Sequence, residues 1–455
     1  NEAAHQQAAG GDVTLDVSGA EFYDTLLSIA PSPLDASVIW VGTDDGLVQI
    51  TRDGGVHWSA VTPAVAPYGR VENIEASPFA AGSAFVTVDR HLLGDRRPHI
   101  FVTDDFGATW HSISAGLPAD QYAHVARQDP HNAALLFAGL EQGIWISLDR
   151  GAHWQSLQGD LPVAAVRDLR IQPSAGDLLV ATHGRGFYVL DDLTALEQLN
   201  TAKAAAAYLF APRTAYAWYR GWLTIYGVQL GEGSAPEGMF VGENPPEGAI
   251  ITYYLARKLP SAPRIEILDS AGAVVRALTG PNHAGLNRLS WNLTETPPMQ
   301  WHAAKEWNRG PDDGATVVPG AYFVRLRLNT ALDQRVDVQP DPRAAWTQAD
   351  YAARYEFLHQ LNAELSQIDV VLNALDERAK RGTLNARGRA LYAQLTSSPA
   401  NSEDTLQRPS RLRERIQDLQ VPLSLSIGPP TPAQHDEAAE IKAQFDSQMA
   451  AYAKS

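Results

Sequence analysis

A short pattern, Ser/Thr-x-Asp-x-Gly-x-x-Trp, occurs three times in the N-terminal part of the sequence. The copies begin at Thr51, Thr103 and Ser147, and their aspartates are separated by 52 and 44 residues. Repetition at a near-constant period restricts the fold, because each copy must then belong to one unit of a repeated supersecondary structure. The residues that define the copies are Asp53, Gly55, Trp58, Asp105, Gly107, Trp110, Asp149, Gly151 and Trp154.

The chemistry of this pattern, called the Asp box below, is that of a tight turn. An Asp carboxylate accepts hydrogen bonds from backbone N–H groups two or more residues ahead, and Gly supplies a positive φ. The Trp then begins the next strand and buries a large ring between neighbouring units. We therefore expect these residues to be structural. A repeat of this length is typical of a four-stranded blade of a β-propeller.

Strand–turn–strand units of similar sequence accompany the boxes. Residues 38–50, 135–146 and 178–190 each hold two apolar runs joined by a short Gly-containing turn, as in a hairpin. Together with the Pro-containing turns at 30–33, 75–78, 127–130 and 171–174, these units predict four blades in a propeller segment 21–199, and the fourth blade has no Asp box. Residues 1–20 are predicted to be a loop or linker. The predicted blades cover about 22–61, 71–113, 122–157 and 166–196.

The sequence pattern changes after the propeller segment. Residues 200–248 are rich in Gly, Pro and aromatic residues and are predicted to be a linker packed on the propeller. Alternating strands in 249–342 predict a small β-sandwich. A stripe of leucines from Leu358 to Leu375 predicts a helical domain at 343–455, as a bundle or long hairpin. The predicted fold class is mainly β, with propeller blades followed by a sandwich and C-terminal helices.

The sequence resembles bacterial proteins with sortilin-type or BNR Asp-box propellers, often called glycosyl-hydrolase-like. The resemblance rests on the three boxes and on segments 40–46, 88–91, 181–186 and 242–246. The segment 249–342 is similar to the FlgD-type immunoglobulin-like domain. The resemblance implies a longer, exported protein of which this chain is a C-terminal portion, with a signal peptide before residue 1. The expected location is therefore secreted or periplasmic.

Surface energetics give an expectation for partners. A propeller blade buries both faces against its neighbours, so an open arc of four blades would leave two apolar faces in water. We therefore expect a second chain, or an N-terminal segment before residue 1, to complete the propeller.

Charge and composition exclude several classes of function. A formal net charge of −16 without a basic run argues against nucleic-acid binding. No apolar stretch approaches the roughly 20 residues that span a bilayer. The absence of cysteine removes thiol chemistry and Cys-ligated zinc. The spacing of the acidic residues indicates no specific metal and the sequence has no cofactor motif, so neither a metal nor a cofactor is predicted.

The turns between the second and third strands of the blades lie on one face, where they predict a polar mouth able to bind a ligand. Each candidate there also has a structural interpretation. Asp44 and Asp45 suit a tight turn, the 89–91 segment suits an internal salt-bridge network, and the 183–185 segment suits packing on a neighbouring blade. The candidate ligand-binding residues are Asp44, Asp45, Asp89, Arg90, His91, Asp95, Glu141, His183 and Arg185.

Two functions remain open at this point. The first is a non-catalytic binding or scaffold protein whose mouth takes a peptide, protein or glycan, while the sandwich and helices serve assembly. The second is a carbohydrate-active hydrolase with Asp45, Asp89 and Glu141 as catalytic candidates, because glycosidases need two carboxylates about 5 to 10 Å apart. The sequence does not fix that separation, and a likeness to hydrolases at the level of fold does not decide whether the protein is an enzyme.

Overall fold

A computed structural model describes residues 25–64, 68–218, 223–225, 228–230, 246–305, 309–397, 409–425 and 428–453. The chain divides into two compact units, Asn1–Ala205 and Ala206–Ser455. The loop or linker predicted at 1–20 lies outside the described residues. Within the described ranges, none of the helices combines the length and the hydropathy needed to cross a membrane.

The first unit is built from antiparallel sheets whose strands follow one another in chain order. Blades 1 to 3 have four strands each, and three strands are described for blade 4. A 3-10 turn, His91–Leu93, lies in blade 2, and two short helices follow the last described strand of blade 4. Blade 1 contains β1 (Leu26–Pro31), β2 (Ile39–Thr43), β3 (Val48–Thr51) and β4 (Ser59–Ala60). Blade 2 contains β5 (Arg70–Ala76), β6 (Ala84–Asp89), β7 (Ile100–Thr103) and β8 (His111–Ser112). Blade 3 contains β9 (Ala123–Gln128), β10 (Leu136–Leu140), β11 (Gly143–Ser147) and β12 (Gln155–Ser156). Blade 4 contains β13 (Val166–Gln172), β14 (Asp177–Thr182) and β15 (Phe187–Leu190), followed by α1 (Thr194–Glu197) and α2 (Leu199–Lys203).

Apolar cores join successive blades. One core combines Trp40 and Ile50 of blade 1 with Ile74 and Val86 of blade 2, and two further cores join blades 2 to 3 and 3 to 4. The innermost strands pack on one another in sequence, β1 on β5, β5 on β9 and β9 on β13. Within the ranges that the structure describes, β13 makes no comparable contact with β1. The outward face of blade 4 carries apolar side chains that are exposed within the described part of the chain, and Phe187 there is 87% exposed.

The Asp boxes form the turns between the third and fourth strands. In the third box, Asp149 Oδ1 accepts the N–H of His153 at 2.8 Å, and Ser147 Oγ accepts the N–H of Gly151 at 2.8 Å. Trp154 then donates its indole N–H to the carbonyl of Ile113, in the preceding blade, at 2.7 Å. These aspartates therefore stabilise turns, and the tryptophan of an interior blade joins it to the blade before.

A β-sandwich forms the first part of the second unit. Its two sheets contain β16 (Ala207–Leu209), β17 (Ala215–Ala217), β20 (Ala249–Leu255), β21 (Arg264–Leu268), β22 (Val274–Thr279), β23 (Gly285–Trp291), β24 (Gly320–Arg327) and β25 (Leu332–Pro340). A three-stranded sheet in the order β16-β20-β23 packs face to face on a five-stranded sheet in the order β17-β25-β24-β21-β22. A separate antiparallel pair is formed by β18 (Leu223–Ile225) and β19 (Val228–Leu230).

Two strands correct the expectation that 200–248 is a linker packed on the propeller. β16 pairs with β20 and β17 pairs in parallel with β25, so both extend the sandwich sheets. The physical reason is that Leu209, Ala215 and Ala217 bury their side chains in the sandwich core. The remaining part of that prediction, at 219–222, 226–227 and 231–245, lies outside the described residues.

The described residues of the C-terminal part of the second unit form four helices, namely α3 (Gln348–Lys380), α4 (Ala386–Leu395), α5 (Leu412–Leu425) and α6 (Pro432–Ala453). Thr347 and Asp350 form a capping box at the start of α3. Leu361, Leu365 and neighbouring members of the predicted stripe are buried against the other helices. The fold class predicted from the sequence, mainly β with propeller blades, a sandwich and C-terminal helices, is thus confirmed.

Candidate functional site

The hairpin turns between second and third strands lie beside the starts of the innermost strands. Three backbone hydrogen bonds show this: Asp44 N–H to Thr25 O, Glu141 N–H to Tyr122 O, and His183 N–H to Ala165 O, at 2.8 to 3.1 Å. We call this end of the first unit the mouth. The Asp boxes lie at the opposite end, because they join the third and fourth strands.

A β-bulge occurs at the same place in the innermost strand of every blade. The pairing register skips one residue near the mouth, and the skipped residues are Leu27, Glu72, His124 and Arg167. A bulge leaves one residue unpaired and redirects its side chain, and bulges are common beside functional sites. Three of these four equivalent residues are ionisable, and they belong to blades 2, 3 and 4.

The three ionisable bulge residues lie in one network. Arg167 Nη1 is 3.1 Å from His124 Nδ1 and 3.8 Å from Glu72 Oε1. A guanidinium only donates hydrogen bonds, so His124 Nδ1 is an acceptor and the ring proton is on Nε2. Nε2 then donates to Glu141 Oε2 at 2.9 Å. Burial lowers the pKa of His124, which keeps its imidazole neutral at pH 7.

Tyr122 connects this network to blade 2. Its ring stacks on His91, with centroids 4.3 Å apart, and meets His124 edge-on at 4.9 Å. Burial and the hydrogen bond to Glu141 raise the pKa of Tyr122 to about 12. Burial disfavours the charge on Glu141, but the hydrogen bonds from His124 and Tyr122 outweigh it and lower the pKa of this carboxyl. Glu141 is therefore held as a carboxylate.

The predicted residues of blade 1 serve its turns. Asp44 Oδ1 accepts the N–H of Thr25 at 2.9 Å, and Asp45 accepts the hydroxyl of Thr43. Both aspartates are buried. They therefore fix the β2–β3 hairpin against the start of β1 rather than presenting carboxylates to the mouth.

The predicted residues of blade 2 pair mainly with one another. Buried Asp89 accepts hydrogen bonds from the backbone N–H of His91 at 2.9 Å and from His91 Nδ1 at 2.7 Å. Asp95 binds Arg90, Arg97 and His99. The hydrogen bond from Arg97 is the largest cause that holds the pKa of Asp95 far below its usual range. The long β6–β7 connection thus supplies hydrogen-bond partners for both of these carboxylates.

Blade 4 leaves its predicted residues accessible. His183 and Arg185 lie in the β14–β15 turn and are exposed, as is Arg167. Of the nine predicted residues, the structure pairs Asp89 with His91 and Arg90 with Asp95 inside blade 2. It also brings His91 of blade 2 and Glu141 of blade 3 together through Tyr122. The sequence analysis did not predict Glu72, Tyr122, His124 or Arg167. Polar residues in an innermost strand were the available signal, but the bulges that redirect them depend on pairing register.

A buried arginine lies beneath the bulges. Arg127, on β9, connects the innermost strands of blades 2, 3 and 4. The acceptors of its guanidinium are Asn73 Oδ1 at 2.6 Å, Glu75 Oε2 at 3.0 Å, Asp168 Oδ1 at 2.7 Å and the carbonyl of Leu169 at 2.7 Å. This residue holds the three blades in register below the mouth.

Known proteins give limited guidance for this site. No protein-family model and no curated protein matches the chain. One similar solved structure is YCF48 bound to D1 peptide, with 17% identity, 37% of this chain and 50% of that chain covered, and a TM-score of 0.28. A GH74 xyloglucanase from Xanthomonas campestris has 12% identity, 66% and 50% coverage, and a TM-score of 0.31. A GH74 enzyme from Niastella koreensis has 13% identity, 58% and 36% coverage, and a TM-score of 0.29.

The chain therefore spans half the length, or less, of these three solved structures. At such identities and TM-scores no residue role is transferred from them. The mouth network is characterised by its own geometry.

Proposed function

We propose that this chain is a non-catalytic binding or scaffold protein whose mouth takes a peptide, protein or glycan. One observation carries the proposal: the carboxylates that would have to act in catalysis are already engaged in structural hydrogen bonds. Asp45 is bound by Thr43, Asp89 by His91, and Glu141 by His124 and Tyr122. A side chain committed in this way positions neighbouring groups and is poorly placed to exchange a proton with a substrate.

The groups that remain accessible at the mouth suit binding. Arg167, His183 and Arg185 are exposed on blade 4, and the partly exposed ring of His91 lies on blade 2, where it stacks on the buried ring of Tyr122. Arginine binds carboxylates through two parallel hydrogen bonds, and flat rings pack on peptide or sugar surfaces. The combination favours a polar ligand that carries an acidic group.

A carbohydrate-active hydrolase is the second candidate. Its support is Glu141, a partly accessible carboxylate held in its ionised form, as a base or nucleophile would be. A glycosidase also needs a second carboxyl group that stays protonated to act as general acid, and a lowered pKa disqualifies Glu141 from that role. Asp45 and Asp89 are both buried, which speaks against direct contact with a sugar.

We also propose that further blades, from a second chain or from sequence before residue 1, cover the outer faces of blades 1 and 4. The support is the apolar surface there, which includes Ile29 and Phe187. Export to the periplasm or beyond belongs to the same proposal. It is supported only by the resemblance of the Asp boxes to those of exported proteins.

A combined binding and turnover experiment tests the proposed function. The purified protein is screened against peptide and glycan panels, and each ligand that binds is incubated and analysed for cleavage products. We expect saturable binding that Arg167→Gln weakens by about tenfold, the loss of one charged hydrogen bond. Arg335→Gln, which removes an exposed arginine of the sandwich, controls for charge. Cleavage that Asp89→Asn or Glu141→Gln abolishes would establish the hydrolase instead.

A further inference from the structure

A second group of ionisable residues lies at the end of the first unit opposite the mouth. Asp129 and His131 belong to the turn between β9 and β10, and Glu197 is the last residue of α1. One ligand atom from each of the three lies within 4.8 Å of the other two. His131 Nδ1 is 3.1 Å from Glu197 Oε1. None of these residues takes part in the mouth network.

The corresponding turns of the other blades show what Asp129 adds. In blades 1 and 2 the same place is taken by Ser32 and Ser77, whose hydroxyls accept the N–H two residues ahead at 3.2 Å. Asp129 does this with one oxygen, Oδ1, which accepts the N–H groups of His131 and Asn132 at 2.8 Å. The turn therefore needs only one acceptor oxygen, and the second oxygen of Asp129 is surplus to it.

That second oxygen has no hydrogen-bond partner. Asp129 is 0% exposed, and its Oδ2 is a buried atom without a partner within the described part of the chain. An unpaired carboxylate oxygen away from water is costly, so native structures rarely keep one without a compensating cation or donor. The carboxylate of Glu197, which has an oxygen within 4.8 Å of an oxygen of Asp129, adds a second negative charge and increases that cost.

We propose that Asp129, His131 and Glu197 bind a divalent transition-metal ion of borderline hardness, for which Zn²⁺ is the probe. Two carboxylate oxygens and one imidazole nitrogen are the donor set that such an ion takes, with water completing the coordination. Tetrahedral bonds of about 2.0 to 2.2 Å place ligand atoms roughly 3.3 to 3.6 Å apart. The three ligand atoms lie within 4.8 Å of one another, so the widest separation must shorten by no more than about 1.5 Å for one ion to contact all three.

Two further features agree with this assignment. Burial raises the pKa of Asp129 and, together with the charge of Asp129, that of Glu197, because water is removed from the ionised carboxyls and the two negative charges lie near each other. The side chain of His131 is 50% exposed, which gives an ion a path from solvent. The hydrogen bond from Asn132 Nδ2 to the carbonyl of Glu197 already links blade 3 to α1, and a bound metal ion would add a second link between them.

Calorimetric titration of the chelator-treated chain with Zn²⁺ tests the site. We expect saturable binding of one ion per chain and a rise in melting temperature with zinc concentration. Asp129→Ser, which restores the residue of the neighbouring turns, and Glu197→Gln, which leaves that turn intact, should each weaken binding at least tenfold. His153→Gln is the matched control, because it removes an imidazole that pairs with a single carboxylate at the same end.

Each outcome of this titration either supports or overturns the proposed zinc site. Loss of binding in both variants, with His153→Gln unchanged, supports the site. Glu197→Gln decides the question if Asp129→Ser does not fold. Absence of saturable zinc binding by the unmodified chain, or equal binding by Glu197→Gln, would overturn the proposal. Full competition by equimolar Mg²⁺ would overturn it too, because a hard cation gains little from the imidazole.

Discussion

Blade 3 and blade 1 carry the same Asp box in different surroundings. Trp154 of blade 3 is 9% exposed and donates its indole N–H to Ile113 of the preceding blade. Trp58 of blade 1 is 42% exposed and donates instead to Gly55 in its own turn. The turns themselves are alike, since Asp53 and Asp149 both accept the N–H four residues ahead.

This comparison separates two contributions that the repeat combines. The turn is local chemistry and forms wherever the sequence pattern occurs. The burial of the tryptophan is a tertiary property, because the carbonyl and apolar surface that receive the ring come from the preceding blade. Stability should therefore differ strongly between equivalent positions, and the predictions below test that difference from the largest effect to the smallest.

Trp154→Ala should produce the largest loss of folding stability. It removes a buried indole and leaves the carbonyl of Ile113 without its donor, at a cost of about 3 to 5 kcal/mol. Hydrogen exchange of β9 to β12, followed by mass spectrometry, measures the free energy of opening. A loss below about 1 kcal/mol would show that the contact between blades 2 and 3 does not depend on this ring.

Arg127→Met should cause the second-largest loss of folding stability. The substitution leaves Glu75 and Asp168 without the cation between them, and breaking a buried pair in this way costs about 3 kcal/mol. Partial exposure of both carboxylates reduces that figure towards about 2 kcal/mol. Arg170→Met, which removes an exposed arginine paired with the same Asp168, is the matched control and should change stability little. Equal effects of the two substitutions would contradict the role of Arg127.

His124→Gln should change the pH dependence of stability. Burial lowers the pKa of His124 in the folded protein, whereas the unfolded chain takes up a proton below about pH 6.5. The unfolded state then binds more protons, so folding stability falls as the pH drops from 7.5 to 5.5. Glutamine cannot titrate, and this part of the slope should disappear. Urea unfolding across that range measures it, with His111→Gln as the control for loss of an exposed imidazole.

The sequence predicted what depends on local chemistry. Asp, Gly and Trp at fixed offsets identify the turns, and alternating apolar residues identify most strands of the sandwich. The mouth network was not predictable, because Glu72, His124 and Arg167 meet only through bulges whose register is set by pairing. A one-residue shift of the strand-pairing register would point each of these side chains away from the mouth.

The same reasoning explains the errors in the predicted domains. β16 and β17 are three residues long and lack a clear alternation, so their sequences carried no strand signal. Their pairing with distant strands is decided by the sandwich core.

The sequence around Asp129 predicted a turn as clearly as the sequences around Ser32 and Ser77 did, while its proposed partner Glu197 lies 68 positions further along the sequence. Spacing alone therefore indicated no metal.

Trp58→Ala should have the smallest effect on folding stability when this chain is studied alone. Its ring is partly exposed and bonded within its own turn, so we expect a loss below about 1 kcal/mol by hydrogen exchange of β1 to β4. The substitution also sharpens the comparison, because a blade packed against blade 1 would bury Trp58 as blade 2 buries Trp154. In an assembly that contains such a blade, the same substitution should cost about 3 kcal/mol or more. If the cost stays small there, then whatever covers blade 1 does not continue the propeller, because a continued propeller would receive this indole as it receives the other two.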